Sequence, residues 1–498
     1  MGWSLDGHIV EFAAGFDVGI EPGGFATVTL SSGDRVIVHV HQVRTTTRSI
    51  DVEVSADEFG FADVARAATT AVTARHVEGS GVVLGGLDGA AAPTAAFGES
   101  PIARADADDI ASWFHGDAAS ATTLEIGRLA DVDEPARLRA KGLARHTFMC
   151  GQSGSGKTFS LGVLLERVLL ETDLPMVVID PNSDYVNLGS IADAETINRF
   201  RATPLTTDEY DALAARYRSR ADVVVASARD HDLPLRFHFS DLTIEEQALT
   251  LQLDPLGDPD QYRALVRAVD SIGDRAYSVA DVVEELGRRP DDANARLAGR
   301  IANLGVSAWS VWASADEPSL TATGIGHRAL VLDTGSLDDP RERSVVALAL
   351  LGRLRRRPQR SPVSIVIDEA HNVCSPDAAT AVERAVADLA VWIAAEGRKF
   401  GLYLLLSSQR PQKLHENVLS QCDNLLLMRV NSRSDLAELT RVFSHVPSPL
   451  IERATSHRMG ELLAAGPIAP TPLRLQVAER WTIEGGADLP LDWLTPSD

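Results

Sequence analysis

Cysteine is scarce in this 498-residue chain. Cys150, Cys374 and Cys422 stand far apart with no CxxC pair, which excludes a disulfide framework and a zinc ribbon. Long apolar runs are missing too: no stretch reaches the ~18 residues that a bilayer span needs. The opening MGWSLDGHIVEF has neither the basic n-region nor the apolar h-region of a secretory signal. The expectation is a cytoplasmic protein with no stable membrane insertion. Low-complexity tracts and internal repeats are also absent. Positive charge is in deficit, with 47 Lys and Arg against 70 Asp and Glu for a net charge of −23. That balance argues against a basic coat that wraps nucleic acid, although a locally basic channel stays possible. Lysine is rarest of all: of the 47 basic residues only Lys141, Lys157, Lys399 and Lys413 are lysines. Where arginine serves almost everywhere, the surviving lysines are the places to look for lysine-specific chemistry.

What is present is globular: 45% hydrophobic residues, 37 glycines and 24 prolines, in a length suited to two or three domains. Residues 1–135 are β-rich. FATVTL, DRVIVHVHQV and SIDVEVS alternate or run β-branched between GG, SSGD and TTTR turns, and GVVLGG and TTLEIGRL add two short strands. Such spacing predicts a small barrel or sandwich, with a helix over the alanine-rich 61–77. After Pro135 the pattern changes. HTFMC reads as a buried strand, followed by a glycine-rich loop, the helix TFSLGVLLERVLLE and the strand PMVVID, together a βαβ unit. Residues 186–325 read as helical, often behind Asp or Thr caps. The parallel-strand pattern resumes at RALVLD and continues through SIVID and LYLLLS. The fold expected is therefore α/β, with one sheet over 136–185 and 326–470, a helical insertion between its two parts, a hairpin from GELLAA and PLRLQVA, and a tail over 471–498.

Gly151-Gln152-Ser153-Gly154-Ser155-Gly156-Lys157-Thr158 fits GxxxxGK[ST] between a strand and a helix. Its glycines let backbone N–H groups turn inward around a phosphate at a helix N-terminus. Lys157 would reach the β- and γ-phosphate oxygens, and the Thr158 hydroxyl would ligate Mg²⁺. ATP and Mg²⁺ are the expected ligands. Asp368, closing the apolar strand SIVID, is the candidate for the second magnesium contact, and Glu369 follows it in position to polarise an attacking water. A solvated acidic pair at a strand end is the simpler alternative. His371 nearby reads as a capping or packing residue. Gln409, after LYLLLSS, falls at the C-terminal strand ends where a parallel sheet opens its ligand crevice, a place for a γ-phosphate sensor. Asp180 ends the strand after the P-loop helix; it either faces the same crevice or caps the turn DPNSDY.

Arg398 and Lys399 precede the LYLLLS strand, and Arg145 precedes HTFMC. They sit at the wrong end of the sheet, about 20 Å from their own nucleotide at ~3.3 Å per residue. They are either solvated or serve as fingers for a neighbouring subunit, and the second reading predicts a ring. Five arginines in Arg353–Arg360 read first as a positively charged helix C-terminus and second as a DNA contact. Trp309 and Trp312 read as core anchors.

Taken in order, the barrel, the Arg145-His146 pair, GQSGSGKT, Asp180-Pro181, the helical insertion, VIDEAH, EGRKFG and SSQRP resemble the HerA-like ATPases of the HerA/FtsK superfamily over nearly the whole chain. The resemblance implies a RecA-like P-loop core of the additional-strand, catalytic-glutamate type, with an N-terminal β-barrel and an inserted helical bundle. It implies a homo-hexameric ring that pumps duplex DNA through its pore with ATP, as a translocase or helicase. The partner would be a NurA-type nuclease in DNA repair, or a defence effector in antiviral systems. By motif, Arg398 corresponds to the trans arginine finger and Arg145 to a second functional arginine. DPNSDY departs from the family, where a glycine–glutamate pair is common. Two other readings remain: a nucleotide-gated ring scaffold for an effector enzyme, and a conjugation-type transfer ATPase. In a ring, the acidic excess would lie outside and the basic residues in the pore, so that the exterior does not adhere to DNA.

Overall fold

The computed structural model describes residues 1–54, 68–118, 122–130, 132–229, 231–289, 291–320, 326–358 and 360–486. Two sheets organise them. The first has seven antiparallel strands in the order Phe97–Ser100, Gly2–Ser4, Ile9–Gly15, Ala68–Gly86, Arg35–Val54, Phe25–Thr29, Ile102–Arg104. Its two outer strands are one continuous stretch of chain interrupted at Pro101: one half pairs with Gly2–Ser4 and the other with Phe25–Thr29. The sheet thus closes on itself, and proline is tolerated there because it falls between ladders. Val10, Phe12, Ala26, Val28, Val36, Val38 and Val40 fill the interior, the every-second-residue pattern of half-buried strands.

The helix expected over 61–77 is not found where the chain is described; residues 61–67 lie outside the described part. From Ala68 the chain is a strand, paired with Arg35–Val54 from Val36↔Gly86 to Val54↔Ala68. Alanine-rich local propensity yields here to a long antiparallel partner, because strand preference is set by pairing and burial more than by intrinsic tendency.

The second sheet holds twelve strands. Eight run parallel: Leu233–Pro234, Val223–Ser227, Ala329–Asp333, Met176–Asp180, Val363–Ile367, Leu402–Ser408, His146–Cys150 and Cys422–Leu427. Four antiparallel strands extend it: Glu461–Ala465, Leu473–Val477, Thr123–Leu129 and Pro135–Arg139. The central strands are buried on both faces, which explains why their sequences run apolar without alternation. Phe148, Val177, Ile179 and Ile365 pack with the helices Pro340–Arg356 and Ala381–Glu396. Met149, Val178 and Val366 point the other way, onto the P-loop helix Lys157–Glu171.

Three boundaries differ from the sequence expectation. TTLEIGRL, read with the first domain, belongs to the second sheet, where Gly127 and Arg128 pair with Val477 and Gln476. The 186–325 segment is not wholly helical, since Val223–Ser227 inserts beside Ala329–Asp333 in the parallel sheet. Five small or β-branched residues suffice for a buried strand, and the charged helices around them masked the signal. The helical cluster proper is Ile244–Thr250, Pro259–Ile272, Val279–Arg288 and Asp292–Leu304, with Thr243–Glu246 and Ser278–Asp281 capping boxes. Trp312 lies in its core, edge-on to Phe239. Finally, within the expected tail 471–498, Leu473–Val477 is the strand that pairs with Glu461–Ala465, the hairpin expected from GELLAA and PLRLQVA, and residues 487–498 lie outside the described part.

The chain beyond that strand is tied to the P-loop helix. Glu166, fully buried, accepts hydrogen bonds from the backbone N–H of Trp481 (2.9 Å) and Thr482 (2.7 Å) and from the Thr482 hydroxyl (2.7 Å). The Arg167 guanidinium stacks on the Trp481 ring at 3.2 Å. Replacing Glu166 by Ala strands these donors and leaves Arg167 and Arg480 without their buried counter-charge. We expect a loss of about 3–5 kcal/mol, read from the urea midpoint, with Glu166→Gln milder because its amide oxygen still accepts. A shift below ~1 kcal/mol for Glu166→Ala would show that this carboxylate does not anchor the segment.

Candidate functional site

The parallel register brings the C-terminal ends of five strands to one rim: Cys150 pairs with Ser408, Ile179 with Ile367, and Asp180 with Asp333. The loop from Gly151 follows at that rim. Gly154 and Gly156 have φ of +72° and +89°, conformations open to glycine. A Cβ on Gly151 would stand 2.6 Å from Ser155 Oγ and 2.9 Å from Met428 Cβ. The loop is held from both sides: Gln152 N–H donates to the Arg429 carbonyl (2.9 Å), Gly460 N–H to the Ser155 carbonyl (2.9 Å), and Asn431 N–H to Gln152 Oε1 (3.0 Å). The P-loop helix has no side-chain cap at its N-terminus, and the buried Ser155 hydroxyl has no protein partner. Uncommitted N–H groups at a helix start suit an anionic phosphate.

Lys157 crosses to the neighbouring strand ends. Its Nζ lies 2.7 Å from Asp368 Oδ1, 2.8 Å from Ser407 Oγ and 3.5 Å from Glu369 Oε1. Ser407 Oγ donates to Asp368 Oδ1 at 2.6 Å, and the Tyr185 hydroxyl lies 3.4 Å from Asp368 Oδ2. Thr158 stands one residue into the helix. Among the described residues there is no cluster of three His, Cys, Asp or Glu to hold a metal. A hydroxyl and one carboxylate are nevertheless an all-oxygen set that fits Mg²⁺, which takes one or two protein oxygens and completes its shell with phosphates and water.

Glu369 has φ +44° and ψ +48°, a left-handed conformation that is uncommon for any residue but glycine and that concentrates at functional sites. Its Oε1 accepts from Gln409 Nε2 at 2.9 Å, and its Oε2 lies 3.2 Å from His371 Nδ1. Burial pushes the Glu369 pKa up, but the His371 contact, the Lys157 charge and the Gln409 amide together outweigh it and hold the pKa at about 2. The group is a carboxylate at any ordinary pH.

The structure thus brings Lys157, Asp368, Glu369 and Gln409 together, with His371 Nδ1 3.2 Å from both Glu369 Oε2 and Ser408 Oγ. Asp180 stands apart. Its carboxylate accepts from the backbone N–H groups of Asn182 (3.3 Å), Asp184 (3.0 Å) and Tyr185 (2.8 Å), the turn-capping role that its sequence position left open. Burial raises its pKa to about 7. Asp184, in the departing DPNSDY motif, is raised to about 6 by burial and by the Asp368 charge. Arg145 and Arg398 lie at the opposite rim, before His146–Cys150 and Leu402–Ser408, and neither meets the P-loop. Both reach one carboxylate: Arg145 Nη1 is 3.4 Å and Arg398 Nη1 3.2 Å from Asp423 Oδ2. Sequence reasoning overlooked Ser407, Tyr185 and Asp423. Ser407 was within reach of it, as the residue beside Ser408 in the same strand end; Tyr185 and Asp423 act through contacts that no local pattern encodes.

Residues 124–351 match the family described as "Helicase HerA, central domain". The chain is 23% identical over 402 residues to the DNA double-strand break repair helicase HerA of Sulfurisphaera tokodaii, spanning 76% of this chain and 72% of that one. It is 24% identical over 407 residues to the helicase of the same name from Saccharolobus solfataricus, spanning 76% and 73%. A looser structural likeness, TM-score 0.44 at 14% identity, covers 72% of this chain and 96% of VirB4 of Thermoanaerobacter pseudethanolicus.

Proposed function

We propose that this chain, whose residues 124–351 match the HerA helicase central-domain family, is an ATP-hydrolysing motor that moves duplex DNA through the pore of a homo-hexameric ring. The observation that carries the reading is the convergence of Lys157, Asp368, Ser407 and Glu369 beneath the P-loop. A triphosphate seated on the loop competes with Asp368 and Glu369 for Lys157, because phosphate oxygens carry more negative charge and meet the helix N-terminus as well. Thr158 and Asp368 would hold Mg²⁺, which supplies charge neutralisation across the phosphate oxygens. Glu369, freed of part of the Lys157 charge, orients and polarises the attacking water. Gln409 fixes the orientation of Glu369 from the neighbouring strand and lies where a γ-phosphate would be sensed.

Arg145 and Arg398 complete the site of a neighbouring copy. They stand a whole strand length from their own P-loop, about 17–23 Å at ~3.3 Å per residue, which no single side chain spans. Among the described residues no helix is long and apolar enough to cross a membrane, so the transfer-ATPase reading gains no membrane anchor from them. A NurA-type nuclease or a defence effector is the partner that the family resemblance implies, in DNA repair or antiviral defence respectively. The test measures ATP turnover with and without linear duplex DNA on protein whose assembly is fixed by native mass. We expect stimulation by DNA in the assembled form. Turnover indifferent to DNA in intact rings would instead favour the nucleotide-gated scaffold.

A further inference from the structure

Asp423 accepts both rim arginines on one oxygen, Oδ2. Arg145 and Arg398 come from distant parts of the chain, and their guanidinium groups repel each other unless a negative charge lies between them. The three side chains are a third to a half exposed, yet the backbones that carry them are fixed. Asn424, next to Asp423 and fully buried, donates from Nδ2 to the Gly142 carbonyl (3.0 Å) and the Thr147 hydroxyl (2.9 Å), and its Oδ1 accepts from Ile468 N–H (2.9 Å). The same Gly142 carbonyl accepts Arg145 N–H at 3.0 Å. One buried amide therefore sets both the residue beside the carboxylate and the turn that presents Arg145. Arg398 lies in the turn Gly397–Phe400, where a Cβ on Gly397 would stand 2.9 Å from Ile393 Cγ2 and 3.2 Å from Leu402 Cβ. Between the two arginines, buried His146 accepts Leu404 N–H on Nδ1 at 2.9 Å. Burial and the Arg398 charge lower its pKa to about 4, so it adds no further positive charge.

We propose that Asp423 is a positioning residue that holds Arg145 and Arg398 as one unit, so that both reach the phosphates of a nucleotide on the neighbouring copy together. The inference rests on the trans reading given above. Two guanidinium groups against one carboxylate leave a surplus positive charge at the rim, and the forked donors of arginine suit phosphate oxygens. An exposed ion pair contributes little to folding by itself, so its loss is read in geometry rather than in stability.

The experiment is steady-state ATP turnover of the assembled full-length protein. Asp423→Asn keeps the shape and removes the charge. It is expected to lower kcat roughly 10- to 100-fold, the effect of a small misplacement of reacting groups, with KM for ATP and the urea midpoint unchanged. Asp423→Glu should restore part of the rate. With Arg145→Ala and Arg398→Ala already present, Asp423→Asn should cost nothing more, since nothing remains to be positioned. Wild-type kcat, a raised kcat, or a full further loss in that background each overturns the proposal. The trans reading fails separately, when mixed rings of Lys157→Ala and Arg398→Ala protein recover no activity. The pairing fails when such rings do recover but the Asp423 and arginine effects simply add.

Discussion

Glu369→Gln protein is expected to bind ATP as tightly as the wild type and to hydrolyse it about 10²–10⁴ times more slowly. The amide keeps the size of the side chain and can still accept from Gln409, so the left-handed turn at residue 369 has no new reason to move. What disappears is the negative charge facing the water. Binding falls to Lys157, the loop amides and Thr158, and Lys157 keeps its shorter contacts to Asp368 (2.7 Å) and Ser407 (2.8 Å). Equilibrium binding of a fluorescent ATP analogue, measured beside single-turnover hydrolysis, separates the two effects. Near-normal hydrolysis would remove Glu369 from the mechanism. The pKa sharpens the expectation. Glu369 titrates at about 2 in the fold, below its ordinary value, so its ionic contribution to stability is present above that ordinary value and fades only as pH falls through 2. Loss of folding stability at mildly acid pH therefore needs another group as its cause.

The second large effect is a rescue. Arg398→Ala and Lys157→Ala should each abolish most turnover when pure, since an arginine finger is worth about 10³–10⁵ in rate. Mixed in equal amounts, they should recover activity. In a head-to-tail ring about a quarter of the interfaces would then join an intact P-loop to an intact finger. The recovered rate should follow the mixing ratio and peak near equality. Verified mixed rings without activity would mean that Arg398 acts within its own subunit or only structurally. Its position before Leu402–Ser408, at the far rim from Lys157, makes the first of these geometrically unworkable.

The chemistry of this chain was legible where it is contiguous. GQSGSGKT and VIDEAH each pack a strand end and its reactive residues into a few positions, and alternation or its absence reveals such strands directly. The parallel sheet also made the two rims legible, because strand direction alone separates Gln409 from Arg398. What escaped depends on partners distant in sequence. Val223–Ser227 is a strand because Ala329–Asp333 waits for it. Ala68–Gly86 is a strand rather than a helix because Arg35–Val54 pairs with it. Asp180 was ambiguous because a carboxylate at a strand end can serve a ligand or the turn after it, and three backbone donors claim it for the turn. Tyr185 reaches Asp368 from the departing DPNSDY motif, a contact that only the folded turn creates.

The strand Leu473–Val477 sits between Glu461–Ala465 and Thr123–Leu129, and this has a consequence for how the molecule is made. During synthesis the segment 123–139 emerges early, but the strand that joins it to the parallel sheet emerges only after nearly every other strand has formed. Until then Thr123–Leu129 presents an open edge, ready to pair with another chain, although the P-loop helix already reaches it, with Arg167 Nε donating to the Glu125 carbonyl at 3.1 Å. Domains generally fold in order as they leave the ribosome, so this edge is completed late. The last strand of the sheet therefore closes an edge that the rest of the chain leaves open, since Leu473–Val477 pairs with Glu461–Ala465 on one side and Thr123–Leu129 on the other.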